Sequence, residues 1–295
     1  MMSDVIQTHL LKFEDYLKTV VHQKPIPSTR LKAAIEYSLL SGGKRFRPLL
    51  VYLTGELLHI DSKILNVIAA AVEMVHCYSL IHDDLPAMDD DDFRRGKPSC
   101  HKAFDQATAI LAGDALSSWS IELLVTELSG HLPANTILLI CKRLLKAIGV
   151  EGMISGQSLD LTVLASMAVT ELELEAIHQL KTGFLIQACI LMVADLIDLD
   201  DTKQQALQQF ANKLGLVFQM QDDYLDYYAP LSTLGKMRSS DLANDKTTYA
   251  QLYDKNVLKD KINRLFRSCH ESLLSFSDGK SALNNLVEWL QSRIE

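Results

Sequence analysis

Apolar positions recur along this chain at helical rather than alternating spacing. Val5, Ile6, Leu10, Phe13, Leu17 and Val20 form the first stripe and predict a helix over 3–22. Lys24-Pro25-Ile26-Pro27 breaks it, and Ser28 is placed to cap a second helix over 29–40. Gly42-Gly43 ends that one, and Pro48 suits the first turn of the next. A nearly all-apolar run over 64–80 predicts a buried helix, followed by an irregular segment over 86–99. Helices are predicted over 104–128 and 134–148, with Gly130 and Pro133 at the joint, and over 150–164. Thr170 is an N-cap for a long helix to 194, and another begins at Thr202 and runs to 228. The segment 229–245 carries the breakers of a long loop, and helices over 246–276 and 281–294 close the pattern. No alternation of useful strand length, internal repeat or domain linker interrupts it. The expectation is one all-α bundle, a single domain over 1–295.

Composition narrows this little. Of 295 residues, 48% are hydrophobic and 22% charged, with 13 Gly and 7 Pro, as a well-buried helical protein with few turns would have. The net charge of −8 argues against nucleic acid as a partner. Cys77, Cys100, Cys141, Cys189 and Cys269 are odd in number, with no CxxC pair, so neither a disulfide framework nor a zinc site is expected. Residues 1–12 lack a basic segment followed by an apolar core, and no apolar run approaches the ~20 residues of a membrane span. A soluble cytoplasmic protein is the expectation.

Candidate chemistry concentrates in Ile81 to Gly96. Asp83, Asp84, Asp89, Asp90, Asp91 and Asp92 put six carboxylates within ten residues, and Arg94-Arg95-Gly96 follow. Carboxylates this dense repel one another unless a cation sits among them, and an all-oxygen set suits a hard divalent ion, magnesium above all. Arg94 and Arg95 suit the phosphate oxygens such an ion bridges to. A second set lies in Gln219-Met220-Gln221-Asp222-Asp223-Tyr224-Leu225-Asp226, where Asp222 and Asp226 are helical i, i+4 neighbours. One DDxxD is weak evidence; two aspartate clusters, each after an apolar helical run, are a strong signal if both face one cavity. Gly43-Lys44-Arg45-Phe46-Arg47 places three cations in four positions beside glycines, and Lys181-Thr182-Gly183, Lys236 and Lys246 add further basic positions.

These motifs resemble the trans-type short-chain isoprenyl diphosphate synthases, and the bacterial farnesyl-producing members above all. The resemblance rests on Gly42-Gly43-Lys44-Arg45-Phe46-Arg47-Pro48, the DDxxxxD with Arg94-Arg95-Gly96, and Gly113-Asp114. Gly156-Gln157, Lys181-Thr182-Gly183, Phe218-Gln219 with Asp222-Asp223-x-x-Asp226, and Lys246-Thr247-Thr248-Tyr249 follow in family order. It implies about ten core helices around a central cavity, a homodimer, and head-to-tail condensation of isopentenyl diphosphate with dimethylallyl or geranyl diphosphate. It implies Mg2+, with Mn2+ as a substitute. Asp83, Asp84, Asp89 and Asp222 would bind the metal, supported by Asp223 and Asp226, while Asp90, Asp91 and Asp92 would support them or face solvent. Arg94, Lys181 and Lys236 would hold the allylic diphosphate. Lys44, Arg47, His76 and Arg95 would hold isopentenyl diphosphate, and Thr182, Gln219 and Lys246 would line the reaction centre. One departure is Asp245 beside Lys246, where the family usually has glycine.

The resemblance also implies that Tyr78, five residues before Asp83, helps set the floor for the growing chain. Helix phase favours Ser79 instead, since i−4 and not i−5 shares a face with Asp83. A floor at Tyr78 gives mainly farnesyl diphosphate; a small Ser79 leaves room for geranylgeranyl diphosphate. A different class, the HD-type metal phosphohydrolases, is suggested by His82-Asp83, but only His76 and His101 lie near it and Asp222 to Asp226 would be unexplained. An EF-hand is excluded by the order of acids. A catalytically silent partner subunit would be missing one of the two aspartate motifs.

Overall fold

Residues 4–164, 169–229, 247–276 and 281–294 are described by a computed structural model. The apolar stripes fold as helices: α1 (Asp4–Gln23), α2 (Thr29–Leu39), α3 (Phe46–Leu57), α4 (Ser62–Asp83), α5 (Cys100–Ala103), α6 (Gln106–Leu128) and α7 (Ala134–Ile148). They continue with α8 (Met153–Leu159), α9 (Glu171–His178), α10 (Phe184–Ala194), α11 (Asp201–Tyr228), α12 (Tyr249–Leu252), α13 (Lys255–Leu273) and α14 (Ala282–Ser292). The backbone divides into two compact units, residues 1–55 with 60–141, and 56–59 with 142–295.

In the first unit α4 packs against α1, α2 and α6. Nearly every side chain from Leu65 to Ile81 is buried, which explains its apolar composition. Its start is capped by Asp61, whose carboxylate accepts from Lys63 N–H at 2.8 Å. Ser28 caps α2 as expected, and Asp105 caps α6 through Thr108 N–H at 2.7 Å. In the second unit α11 packs against α10 and α13, and α13 against α14. Thr170 and Glu173 form the capping box that starts α9.

Four expectations change. The irregular segment 86–99 contains a hairpin, β1 (Phe93–Arg94) antiparallel to β2 (Lys97–Pro98). The helix expected over 170–194 is interrupted by a π-helical turn at Gln179–Gly183, and α8 runs into another at Asp160–Leu164. The helix expected over 246–276 breaks at Tyr253, which is extended, because Tyr249 N–H is held by Asp223 while α13 runs along α11. Finally, Ser62–Asp83, Gln106–Leu128 and Glu171–Ala194 are each long and apolar enough, by length and composition alone, to cross a membrane. Short apolar runs joined into long helices escape a search for continuous apolar stretches. Within those windows, 72%, 50% and 61% of residues are buried inside the protein, so much of this apolar surface is already spent on packing. All five cysteines are free and buried.

Candidate active site

The first unit carries one aspartate set. Beyond Asp83 the chain folds back at once: Asp89 N–H donates to the Asp83 carbonyl at 2.9 Å, and Asp90 N–H to the Leu85 carbonyl at 3.1 Å. The four residues between Asp84 and Asp89 are therefore the length of one tight turn, and Asp90 takes a left-handed φ of 51° to complete it. In the hairpin that follows, Arg95 (φ 54°) and Gly96 (φ 76°) are the two central residues of a turn with both φ positive, a type I′ geometry.

The turn sends the two arginines to different partners. Arg94 donates to Asp84 Oδ1 from Nε at 2.9 Å and Nη2 at 2.5 Å, and from Nη2 to Asp91 at 2.7 Å. Asp84 is nevertheless hard to ionise. Removal from water pushes its carboxyl up to about 6, Asp91 and Asp89 add to this, and Arg94 pulls the other way. An oxygen-only set in which one buried carboxylate resists charging even beside a guanidinium fits a divalent cation such as magnesium. Of the remaining acids, Asp92 pairs with Lys102 at 2.7 Å. Asp90, Asp92 and His101 bring ligand atoms within 4.8 Å of one another, both aspartates being exposed.

A basic group lies beside this set. The loop before α3 uses left-handed backbone at Gly42 (φ 77°), Gly43 (φ 124°) and Arg45 (φ 46°). The φ of 124° at Gly43 favours glycine, and a Cβ there would also fall 2.7 Å from the Arg95 guanidinium carbon. Arg47 Nη1 lies 3.3 Å from His76 Nε2. Since arginine can only donate, His76 accepts through Nε2 and is neutral. Burial, then the charges of Arg47, Arg95, Arg94 and Arg45, hold its imidazole well below the usual range. Lys44 is exposed.

The two candidate floor residues sit one turn behind Asp83. Tyr78 is buried against the His82 ring, edge to face at 5.9 Å. Burial, with Asp83 second, pushes its hydroxyl up to about 12. Ser79 turns its hydroxyl back onto the His76 carbonyl at 2.9 Å. His82 itself faces α6, its ring donating to the Ile110 carbonyl at 3.1 Å, and any side chain at Gly113 would strike that ring. His82 Nε2 is thus engaged by a backbone carbonyl and is not itself available to an ion.

The second unit carries the other aspartate set and the lysine motif. Asp223 Oδ1 accepts from Gln219 Nε2 at 3.0 Å and Oδ2 from Tyr249 N–H at 2.9 Å. It thus ties α11 to the first residue of α12 and holds Gln219, while Asp222 and Asp226 are neighbours on the same helix. Arg293, just beyond α14, has its guanidinium lowered by burial, with Asp222 and Asp226 opposing that shift. The π-turn contains Lys181 and Thr182, and Lys181 Nζ reaches Asp160 at 2.8 Å. Glycines explain how these segments meet: a Cβ on Gly156 would strike the Lys181 backbone, and one on Gly215 of α11 would fall 2.9 Å from Gly183 Cα. A π-turn at a candidate catalytic lysine is a common functional placement.

Asp83, Asp84, Asp89, Arg94, Arg95, Lys44, Arg47, His76, Tyr78 and Ser79 therefore all belong to the first unit. Lys181, Thr182, Gln219, Asp222, Asp223 and Asp226 belong to the second. Lys236, Lys246 and Asp245 lie outside the described residues. Sequence reasoning passed over Glu73, Asp160 and Arg293. Glu73 had a signal, a lone acid inside an apolar helix; Asp160 and Arg293 look like ordinary surface charges.

Residues 28–275 match the model of the family described as polyprenyl synthetase. This chain belongs to that family. Farnesyl diphosphate synthase of Haemophilus influenzae is 44% identical over 245 residues, covering 82% of each chain. A geranyltransferase structure from Legionella pneumophila superposes with a TM-score of 0.91 at 47% identity, over 98% of this chain and 96% of the other. One from Helicobacter pylori, complexed with magnesium and isoprenyl diphosphate, gives 0.81 at 30% identity, over 100% and 97%. The all-α fold and a prenyltransferase of isoprenoid synthesis, expected from the motifs, are those of this polyprenyl synthetase family member.

Proposed function

We propose that this chain joins isopentenyl diphosphate to dimethylallyl or geranyl diphosphate and releases mainly farnesyl diphosphate and inorganic diphosphate. The observation that carries the reading is the first unit's pairing of a carboxylate cluster, with the buried, hard-to-charge Asp84 at its centre, with an arginine hairpin and a separate basic loop. That is one metal-type and one anion-type site on adjoining elements. The farnesyl-named and geranyltransferase-named relatives support it, and the magnesium-bound relative supports Mg2+ as cofactor; Mn2+ as a substitute belongs to the same proposal.

Asp83, Asp84 and Asp89 are the proposed metal-binding carboxylates of the first unit, and Asp222, Asp223 and Asp226 those of the second. When bound, the ion supplies neutralisation of the charge on a departing diphosphate. Arg94, Lys181 and Lys236 add direct donors to the allylic diphosphate. Lys44, Arg47, His76 and Arg95 hold isopentenyl diphosphate, with the neutral His76 donating its Nδ1 proton while Nε2 accepts from Arg47. The allylic C1–O bond breaks with its electron pair leaving on diphosphate. The isopentenyl double bond then forms the new bond to C1, and a proton from C2 passes to the departed diphosphate. Thr182 and Gln219 offer oxygens toward the cation; with Gln219 Nε2 committed to Asp223, its carbonyl oxygen is the end left for that purpose. Lys246 completes the reaction centre in this reading.

Buried Tyr78 favours farnesyl, and the small Ser79 favours geranylgeranyl as the second product reading. One catalytic domain over the whole chain, a homodimer, no membrane span and a cytoplasmic location belong to the same proposal. Incubation with isopentenyl and geranyl diphosphates and Mg2+, followed by chromatography, should give a C15 product. Inorganic phosphate without any prenyl product would overturn the reading.

A further inference from the structure

The basic loop is organised around two charged residues that have no part in the reaction described above. Arg45 is buried in a left-handed backbone conformation, costly for a residue with a Cβ. Its guanidinium donates to Glu14 Oε1 at 2.7 Å, to the Leu39 carbonyl at 2.9 Å and to Glu73 Oε1 at 2.5 Å. Glu73 is 1% exposed in the middle of α4, and the same oxygen accepts from Arg95 Nη2 at 3.4 Å. Arg95 Nη1 donates to the Gly42 carbonyl, and Gly43 closes over the guanidinium face. One buried carboxylate oxygen is thus shared by two arginines from different segments. It sits one turn before His76, on the same helix face. A buried acid is retained only where it is paired, and two guanidiniums on one oxygen leave each with donors to spare.

We propose that Glu73 and Arg45 are a positioning pair for Arg95. They set its orientation and its share of negative charge, and so control affinity for the diphosphate of isopentenyl diphosphate without touching substrate. Arg45 anchors Glu73 from below through α1 and the end of α2, and Glu73 passes that anchorage to the hairpin. The inference rests on the assignment of Arg95 to isopentenyl diphosphate. It predicts an effect on one substrate and not the other.

The test is steady-state kinetics of the full chain with Mg2+, varying each substrate in turn. Glu73→Gln keeps the shape and removes the charge. Its KM for isopentenyl diphosphate should rise about tenfold, with KM for geranyl diphosphate and saturated kcat changed by less than about threefold. Glu14→Gln, at the far end of Arg45, should move the same KM in the same direction but less. In an Arg95→Gln background Glu73→Gln should add little, because the two act as one unit. An unchanged KM for isopentenyl diphosphate, a parallel loss in both KM values and kcat, or full additivity with Arg95→Gln would overturn the pair. Should Glu73→Gln fail to fold, Glu73→Asp, which keeps the charge but draws it back, must show the same one-sided KM shift. If the wild type makes no prenyl product, the functional reading has failed by itself. Calorimetric titration with inorganic diphosphate then decides the pair: weaker binding by Glu73→Gln than by wild type supports it, and equal binding removes it.

Discussion

Asp84 offers a prediction in which stability and activity move in opposite directions. Its carboxyl titrates at about 6 in the folded chain against an ordinary 3.8. Between these values the folded state binds more protons than the unfolded one, so stability falls as pH rises. The contribution is fully present below 3.8 and is lost as pH rises through about 6. At pH 7 the ionised carboxylate costs about 3 kcal/mol relative to its neutral form, from 1.36 kcal/mol per unit. Asp84→Asn imitates the neutral form and can still accept from Arg94. The metal-free variant should therefore be more stable than wild type at pH 7, by up to about 3 kcal/mol, or on the order of 5 °C in Tm for a chain of this size. The difference should close below about pH 4, where both side chains are neutral. Saturating Mg2+ should raise the wild-type Tm and leave the variant's almost unchanged, while prenyl transfer falls by at least about a thousandfold. Thermal unfolding in EDTA and in Mg2+ across pH 4–8, with turnover measured on the same samples, checks each arm. An Asp84→Asn chain less stable than wild type in EDTA at pH 7 would refute the reasoning, since burial would then not be what holds the carboxyl up.

Other substitutions test other parts of the site. Tyr78→Ala should lengthen the products beyond C15; an unchanged product by chromatography would remove Tyr78 from the floor, and Ser79→Phe would then be the change that shortens them. Asp160→Asn removes the charge opposite Lys181, and should raise KM for geranyl diphosphate several-fold while leaving that for isopentenyl diphosphate within about twofold; equal shifts in both would argue against Lys181 as an allylic ligand. Gly113→Ala forces a methyl into the His82 ring and should cost about 1–3 kcal/mol of stability, read by denaturant unfolding. A neutral result there would mean that α4 and α6 can separate without loss.

The sequence showed the acids and bases but not their pairings, and the reason is physical. Helix phase and dense charge are local properties, so α4, α6, α11 and both aspartate sets could be read from spacing alone. The π-turn at Lys181 could not, because it is held by Gly156 and Gly215, which are distant in sequence and mark only a close approach. The hairpin at Arg94 escaped for the opposite reason: two-residue strands carry no alternation, and a left-handed Arg95 violates the local preference that a sequence reading relies on. The same blind spot hid Glu73 and Arg45. A lone acid in an apolar helix and an arginine in a basic motif each suggest a solvated or substrate-facing charge, and only tertiary structure shows that they neutralise each other. Two compensating violations, a buried acid and a strained buried arginine, are unfavourable separately and persist together. Local rules therefore failed in this unit at the places where several segments converge on Arg95, and there the fold accepts strain to fix one guanidinium.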